Sequence, residues 1–201
     1  MRCLLIHAHP DPDSFSTALR ERAVAALGRA GHEVDVIDLY ELGYDPCLSE
    51  TEHVDYYSIG LNHPDQMTAD HIESLTRAEM LVFVYPTWWS GLPAIMKGWL
   101  DRTLLPDVAF TLTPGSDGNE VVRPNLTNIR RLVGITTYGS KRVEVAVLGD
   151  AGKRTITRTV RMVCAKRCRS TWLGLHALDT RSNEERTAFL DQVESKLAGI
   201  R

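Results

Sequence analysis

Five apolar runs are spaced along the chain, and each is followed by residues that form loops. The first and third runs are continuously apolar rather than alternating, which is typical of strands buried on both faces of a parallel sheet. The five runs cover residues 3–8, 34–39, 80–85, 131–137 and 170–177. Helical patterns fill the intervals, at about 15–30, 64–78, 94–104, 151–168 and 183–199. Strands that alternate with helices predict an open, doubly wound α/β protein with a five-stranded parallel sheet.

The remaining segments show turn signals rather than periodicity. Residues 105–128 contain three prolines and two glycines, which predicts a long excursion without regular structure. Residues 40–63 are also irregular. There are no internal repeats and no low-complexity tracts, so we expect one domain over residues 1–201.

Composition supports a soluble globular chain. Of the 201 residues, 43% are hydrophobic and 24% are charged. The apolar stretch at residues 1–7 is too short for a signal peptide, and no stretch approaches the ~20 apolar residues of a membrane span. We therefore expect a cytoplasmic protein with no membrane insertion.

The charges are unevenly distributed along the chain. Residues 32–79 hold twelve acidic residues and one base, whereas residues 153–169 hold seven bases and no acid. Solvated faces on separate elements would produce this pattern, and so would a basic surface that attracts an anionic partner or cofactor. The whole chain is mildly acidic, with a pI of about 6.2, which argues against nucleic acid.

Cysteine and histidine patterns offer little support for a metal. The cysteines at positions 3, 47, 164 and 168 show no Cys-x-x-Cys spacing, and buried or idle thiols are the simplest interpretation. The order His7, His9, Asp11 resembles zinc hydrolase and sugar deacetylase motifs. Because Pro12 interrupts that pattern and no His-x-x-His follows, no metal site is predicted, and a zinc-dependent hydrolase remains the weakest alternative.

Open parallel sheets bind ligands beyond the carboxyl ends of their strands. The loop after the first strand brings Ser14, Phe15 and Ser16 to the start of a helix. Free N–H groups and the helix dipole favour an anion there, although these serines could also act only as helix caps. The loop is neither a Walker loop nor a Gly-x-Gly-x-x-Gly turn, which argues against ATP.

Two other strand ends carry unusual loops. Residues 86–91 place Trp88 and Trp89 side by side, which suits an aromatic wall for a planar ring or a tryptophan plug beneath a loop. Residues 136–139 supply hydroxyls, backbone donors and one aromatic ring, or form a plain turn. Together the three loops predict one elongated site, with a phosphate at one end and a flat ring with polar edges at the other.

Three segments carry a family resemblance: HAHP with SFS at residues 7–16, YPTWWSGLPAIMKGWLDR at residues 85–102, and ITTYG at residues 135–139. In this order they resemble the NAD(P)H quinone dehydrogenase family, the flavodoxin-2 group. The resemblance implies a flavodoxin-like fold, a tightly held FAD or FMN, and a homodimer with the active site at its interface. It also implies ping-pong hydride transfer from NAD(P)H through the flavin to a quinone or similar small acceptor.

By motif position, the resemblance also implies the flavin contacts. The phosphates and ribityl chain would meet His9, Ser14, Phe15 and Ser16. The isoalloxazine ring would meet Pro86, Thr87, Trp88, Trp89, Ser90, Thr136, Thr137, Tyr138 and Gly139. Because the flavin performs the chemistry, no side chain is expected to act as a nucleophile or general base.

One segment departs from the family pattern. Well-known members carry a tyrosine and a histidine after the Thr-Thr segment, whereas residues 140–145 here read SKRVEV. Our hypothesis is that Lys141 or Arg142 supplies positive charge near the reduced ring. An alternative function is a regulatory flavoprotein subunit of an ion-efflux system, with residues 153–169 as the docking surface. The same bases could instead bind the 2′-phosphate of NADPH or the acidic region of a dimer mate.

Overall fold

The computed structural model describes residues 1–56, 64–115 and 119–200. The strands are β1 (Arg2–His7), β2 (Glu33–Asp38), β3 (Met80–Pro86), β4 (Phe110–Pro114), β5 (Glu120–Pro124), β6 (Arg131–Thr137) and β7 (Arg169–Leu175). The helices are α1 (Phe15–Arg29), α2 (Glu50–Val54), α3 (Gln66–Arg77), α4 (Ala94–Thr103), α5 (Arg142–Leu148), α6 (Ala151–Arg154) and α7 (Asn183–Ala198). Helix α6 continues as a π-helical turn over Thr155–Val160, and a 3-10 turn spans Leu178–Thr180.

The main sheet has the order β2-β1-β3-β6-β7, and all its pairs are parallel. The chain leaves β1 toward β2 on one side and then returns past β1 to β3, so the direction of winding changes between β1 and β3. That position is the switch point where open sheets of this kind bind ligands. The predicted five-stranded parallel sheet is confirmed.

Helices cover both faces of this sheet, as predicted. On one face, α1 and α7 pack over the strands through residues such as Leu19 and Phe189. On the other face, α3, α4 and the π-helical turn bury Leu75, Trp99 and Ile156. Because side chains of β1, β3 and β6 are buried on both faces, these strands have the continuous apolar runs seen in the sequence.

The prediction of an irregular excursion at residues 105–128 was wrong. This segment contains an antiparallel pair, β4 and β5, with Phe110 opposite Pro124 and Pro114 opposite Glu120. Two of the three prolines that indicated irregular chain, Pro114 and Pro124, lie at strand ends, where a missing N–H donor costs little. Residues 40–63, also treated as irregular, contain the short helix α2, whose capping box joins Ser49 and Glu52.

The predicted basic helix over residues 151–168 was also wrong in its extent. The α-helical part covers four residues before the π-helical turn, and α5 precedes it as a separate helix. The hydroxyl of Thr157 donates to the carbonyl of Lys153 at 2.7 Å, a contact that competes with regular helix geometry. The chain has left the helix before Cys164, which pairs with Leu126 in an isolated bridge.

The structure also describes the state of the cysteines and the character of the helices. All four cysteines are free thiols, and three of them are buried. In the part of the chain that the structure describes, no helix has the length and apolar character needed to cross a membrane.

Candidate functional site

The three predicted loops meet at the carboxyl ends of β1, β3 and β6. The Thr87 N–H donates to the carbonyl of Thr137 at 2.8 Å, and the hydroxyls of Thr87 and Thr136 are 2.9 Å apart. The ring of His9 lies 6.2 Å from the ring of Trp88, centre to centre. The loops after β1, β3 and β6 therefore form one continuous surface at the switch point.

The first loop presents the N-terminus of α1. The Ser14 hydroxyl accepts a hydrogen bond from the Thr17 N–H at 3.1 Å, so Ser14 is the helix cap. The Phe15 side chain packs against the core beneath α1. The N–H groups of Phe15 and Ser16 lie in the first turn, where a helix offers no acceptor of its own. Capping by Ser14 and an anion site at the free N–H groups are therefore compatible.

A buried polar network lies directly beneath this helix start. His7 Nδ1 is 2.7 Å from Asp38 Oδ2, and His7 Nε2 is 3.2 Å from the Ser16 hydroxyl. Arg20 donates to the same Asp38 oxygen at 2.7 Å. Burial lowers the pKa of His7 more than Asp38 raises it. Burial alone would raise the pKa of Asp38, but its bonds to His7, the Glu41 N–H and Arg20 hold that pKa below its usual value.

This network accounts for the histidine pattern that resembled a zinc motif. Both ring nitrogens of His7 are occupied by protein partners. His9 Nδ1 accepts from the Asp11 N–H at 3.0 Å. Over residues 1–56, 64–115 and 119–200, no three histidine, cysteine or acidic side chains come together as a metal site.

The second loop is a tight turn with an unusual backbone. Trp88 and Gly91 exchange two backbone hydrogen bonds, at 3.3 and 3.0 Å. The two residues between them, Trp89 and Ser90, have φ angles of +49° and +58°. Positive φ at both central positions defines a type I′ turn, which glycine and asparagine normally occupy. Because the Trp89 side chain is fully exposed, the turn holds a strained tryptophan in solvent, which is typical of a functional constraint.

Helix α6 supports this turn from behind. The Ala151 N–H donates to the Ser90 carbonyl at 3.0 Å. The next residue, Gly152, packs closely, since an added Cβ would lie 2.9 Å from the Tyr85 hydroxyl and 3.4 Å from the Gly91 carbonyl carbon. A larger residue at position 152 would separate α6 from the turn.

The third loop places Tyr138 in a buried network instead of leaving its hydroxyl open. Its hydroxyl donates to Asp150 Oδ2 at 2.5 Å and accepts from Trp172 Nε1 at 3.0 Å. Its ring stacks on His176 with centres 4.3 Å apart. Burial and the Asp150 carboxylate raise the pKa of Tyr138, so the phenol stays protonated at neutral pH.

A cleft of about 680 Å³ lies between the second and third loops. Its lining includes six predicted residues and three that the sequence did not indicate. The predicted ones are Thr87, Trp88, Trp89, Ser90, Tyr138 and Gly139, with Ser140, Val145 and Asp150 as additions. Asp150 has a local signal, since it caps α6 through the Lys153 N–H at 2.9 Å, but nothing in the sequence connects it to Tyr138.

The other predicted residues lie around this cleft. Pro86, Thr136 and Thr137 are buried in the strand ends beneath it. Lys141 is exposed and directly precedes α5. Arg142 lines a separate cavity of about 380 Å³ that also includes Lys153 and His176. Neither Lys141 nor Arg142 is part of the lining of the larger cleft.

The site and its scaffold define a class of protein. A parallel sheet that changes winding direction between β1 and β3, with a helix N-terminus and an aromatic cleft at that point, is a flavodoxin-like α/β arrangement. Residues 1–198 match the model of the flavodoxin-2 family, which is described by its flavodoxin-like fold, and the chain belongs to that family.

Named relatives and solved structures agree with this membership. NAD(P)H dehydrogenase [quinone] 1 of Rattus norvegicus is 32% identical over 155 residues, which cover 69% of this chain and 54% of that protein. The chain thus spans about half the length of this relative. The NAD(P)H:quinone oxidoreductase structure from Methanothermobacter marburgensis has a TM-score of 0.80 at 25% identity, covering 98% of this chain and 96% of that one.

A third similarity concerns the fold alone. The FMN-dependent NADH-azoreductase of Bacillus anthracis, solved in complex with FMN, has a TM-score of 0.76 at 17% identity. The alignment covers 98% of this chain and 97% of the azoreductase chain. The same flavodoxin-like scaffold therefore occurs in a solved FMN complex.

Proposed function

We propose that this protein is a flavin-dependent NAD(P)H oxidoreductase that passes hydride from NAD(P)H, through bound FAD or FMN, to a quinone or similar small acceptor. The observation that carries the proposal is the continuous surface between the α1 N-terminus and the aromatic cleft. It offers anion-binding N–H groups at one end and indole walls at the other, as a phosphorylated planar ring requires. The family membership and the named quinone reductases support the same function.

The residues present fit a flavin. At the phosphate end, the N–H groups of the first turn of α1 would bind the anion, with His9 and Ser14 beside it. At the ring end, Trp88 and Trp89 would cover the ring and exclude water, and the backbone near Thr87 and Gly139 would meet its polar edge. The bound flavin would supply the hydride chemistry, and the protein would orient the nicotinamide against it.

Positive charge near the reduced ring is proposed to come from Lys141 or Arg142. Arg142 faces a cavity that neighbours the cleft, since Tyr138, Val145 and Asp150 line both. Replacing each base by alanine should slow flavin reduction by NAD(P)H or the reoxidation that follows. Unchanged rates in both variants would remove these residues from the proposal.

A second copy of the chain is proposed to complete the site. Helix α5 buries none of its residues and exposes Val143, Val147 and Leu148, while its Val145 lines the cleft. An exposed apolar helix at the edge of a cleft is typical of a surface covered by a partner. Sedimentation should give a homodimer, and Val147→Glu should shift it toward the monomer and weaken turnover.

We further propose that residues 1–201 form one domain that works in the cytoplasm. The four free thiols suit a reducing compartment, where NAD(P)H is also available. Residues 153–169 could select NADPH through its 2′-phosphate. Arg154→Glu combined with Arg158→Glu should then reduce turnover with NADPH more than with NADH, whereas an equal effect on both would exclude that role.

The deciding experiment is the visible spectrum of the purified protein. Flavin absorption near ~450 nm that bleaches on anaerobic addition of NAD(P)H, and returns with a quinone, is the expected result. Denaturation and identification of the released flavin would distinguish FAD from FMN. A colourless protein that neither FAD nor FMN reconstitutes would contradict the proposal.

A further inference from the structure

His7 is hydrogen-bonded to Ser16 at the start of α1. The imidazole is 1% exposed and lies at the end of β1, between the Asp38 carboxylate and the Ser16 hydroxyl. Ser16 is the second residue of α1, within the turn whose N–H groups form the proposed phosphate site. The network thus connects a buried titratable group directly to that site.

The direction of these hydrogen bonds follows from the charges. Asp38 is ionised at neutral pH because its pKa is held low, so it can only accept, and His7 Nδ1 must carry the hydrogen. Burial keeps the pKa of His7 below its usual value, so the ring is neutral and its Nε2 is an acceptor. The Ser16 hydroxyl therefore donates to His7, and its hydrogen is unavailable to an anion.

We propose that binding of a flavin phosphate is coupled to the uptake of one proton by His7, which reverses the hydrogen bond to Ser16. The proton comes from solvent and binds Nε2, so that the imidazolium donates to Asp38 through Nδ1 and to Ser16 through Nε2. The Ser16 hydroxyl then donates its hydrogen to a phosphate oxygen. His7 is a positioning residue, and the inference rests on the proposed function because that function puts the phosphate at Ser16.

The charges around His7 favour this coupling once a phosphate is present. Asp38, at the end of β2, stabilises the imidazolium, whereas Arg20 of α1 and His9 of the following loop oppose it. Arg20 is in turn balanced by Asp38 at 2.7 Å and Glu41 at 3.9 Å. A phosphate bound at Ser16 adds negative charge close to the His7 ring, and this raises the pKa of His7.

The expected signature is a flavin affinity that weakens as pH rises. Between the pKa of His7 in the free and in the bound protein, the FAD dissociation constant should increase by up to about tenfold per pH unit. FAD is the informative probe because its pyrophosphate stays ionised in this range, and riboflavin is the control because it has no phosphate. Fluorescence titration of flavin-free protein from about pH 5.5 to 8 should give a slope for FAD and a flat line for riboflavin.

Calorimetry gives a second readout that does not depend on activity. FAD binding measured in two buffers with different ionisation enthalpies should show net uptake of a proton, of up to one per flavin. His7→Gln carries an amide N–H near the position of Nε2 and cannot titrate, so it should bind FAD with no slope and no proton uptake. Ser16→Ala should show a smaller slope, because it keeps the phosphate charge but loses the reversed hydrogen bond, and it tests the inference if the His7 variant does not fold.

A matched control is His71→Gln. His71 is also buried with a lowered pKa, but it lies on α3, where it accepts from Trp99 Nε1 at 3.3 Å, away from the phosphate site. This variant should keep both the slope and the proton uptake, and their loss would contradict the assignment to His7. A wild-type FAD profile parallel to that of riboflavin would overturn the inference and leave the proposed function intact. Failure of FAD and FMN to bind at any pH would instead overturn the proposed function.

Discussion

The two ends of the candidate site are stabilised in different ways. The phosphate end is built from charged and polar side chains that are satisfied within the protein, with Asp38 joined to both His7 and Arg20. The ring end is a turn with positive φ at two non-glycine residues, and it exposes Trp89 fully. A hydrogen bond from Ala151 to Ser90 and the close packing of α6 support it from behind.

This difference indicates what each end requires from a ligand. The phosphate end is already organised in the free protein, because its polar groups have partners. The ring end keeps a conformation that is unfavourable for its residues, and covering the exposed indole would offset that cost. Disrupting the phosphate end should therefore reduce stability, whereas relieving the ring end should increase it.

The largest effect is expected from Asp38→Ala. Removing the carboxylate leaves His7 and Arg20 without their shared partner, and breaking a buried charged network costs about 3 kcal/mol of unfolding free energy. Chemical denaturation with and without flavin would measure it. Asp35→Ala is the control, since Asp35 is exposed on the same strand and should change stability by less than about 0.5 kcal/mol. Equal losses in the two variants would contradict the special role of Asp38.

A smaller effect is expected from Tyr138→Phe, beside the ring end. The change removes the hydroxyl that joins Asp150 and Trp172, and leaving buried partners unsatisfied costs about 1–3 kcal/mol. Tyr85→Phe provides the contrast, because none of the described residues gives the buried Tyr85 hydroxyl a hydrogen-bond partner. That variant should be neutral or slightly stabilised in thermal or chemical unfolding. A Tyr85→Phe loss as large as that of Tyr138→Phe would show that the network around Tyr138 contributes little.

Acid and alkali should act on the two ends separately. At the phosphate end, the pKa values of His7 and Asp38 are both lowered, so the unfolded chain binds more protons than the folded one in acid. Stability should fall as pH drops below about 6.5, by at most ~1.4 kcal/mol per pH unit for the His7 share, and fall further below about 4. At the ring end, the raised pKa of Tyr138 gives a contribution that is complete below about pH 10 and lost as pH rises further.

Single variants assign these two limbs of the pH profile. Unfolding free energies measured from acid to alkali should show a shallower acid limb for His7→Gln and a shallower alkaline limb for Tyr138→Phe. An acid limb unchanged by His7→Gln would mean that other groups, such as the buried His71, dominate it.

The sequence was sufficient to predict the scaffold and the three loops that meet at one edge of the sheet, which form the candidate site. The strands of the sheet are local apolar runs, and their order along the chain places three unusual loops at one edge. Elements with mixed signals were predicted poorly. The prolines of β4 and β5 indicated a loop, and the helix predicted to reach residue 168 changes to π-helical geometry after α6 and ends before Cys164.

Contacts between distant residues account for what the sequence could not predict. His7 is 31 residues from Asp38, and Tyr138 meets Asp150 across the whole of α5. Each of these residues has an ordinary local explanation as a strand, loop or capping residue, so only the packed structure reveals the pairs. The two tryptophans were identified from sequence, but their backbone angles depend on the packing of α6 behind the turn.

The smallest effect, and the sharpest test of the strained turn, is expected from replacements of Trp89. Trp89→Ala removes the exposed ring but keeps a Cβ at a φ of +49°, whereas Trp89→Gly also removes the steric cost, which is about 1 kcal/mol. The glycine variant should therefore be more stable than the alanine variant by up to ~1 kcal/mol in chemical denaturation, although glycine's greater freedom in the unfolded chain reduces the gain. Both variants should bind flavin more weakly than wild type by a similar factor, because both lack the indole. If glycine gives no advantage over alanine, the turn is not strained, and the contrast between a relaxed phosphate end and a strained ring end fails.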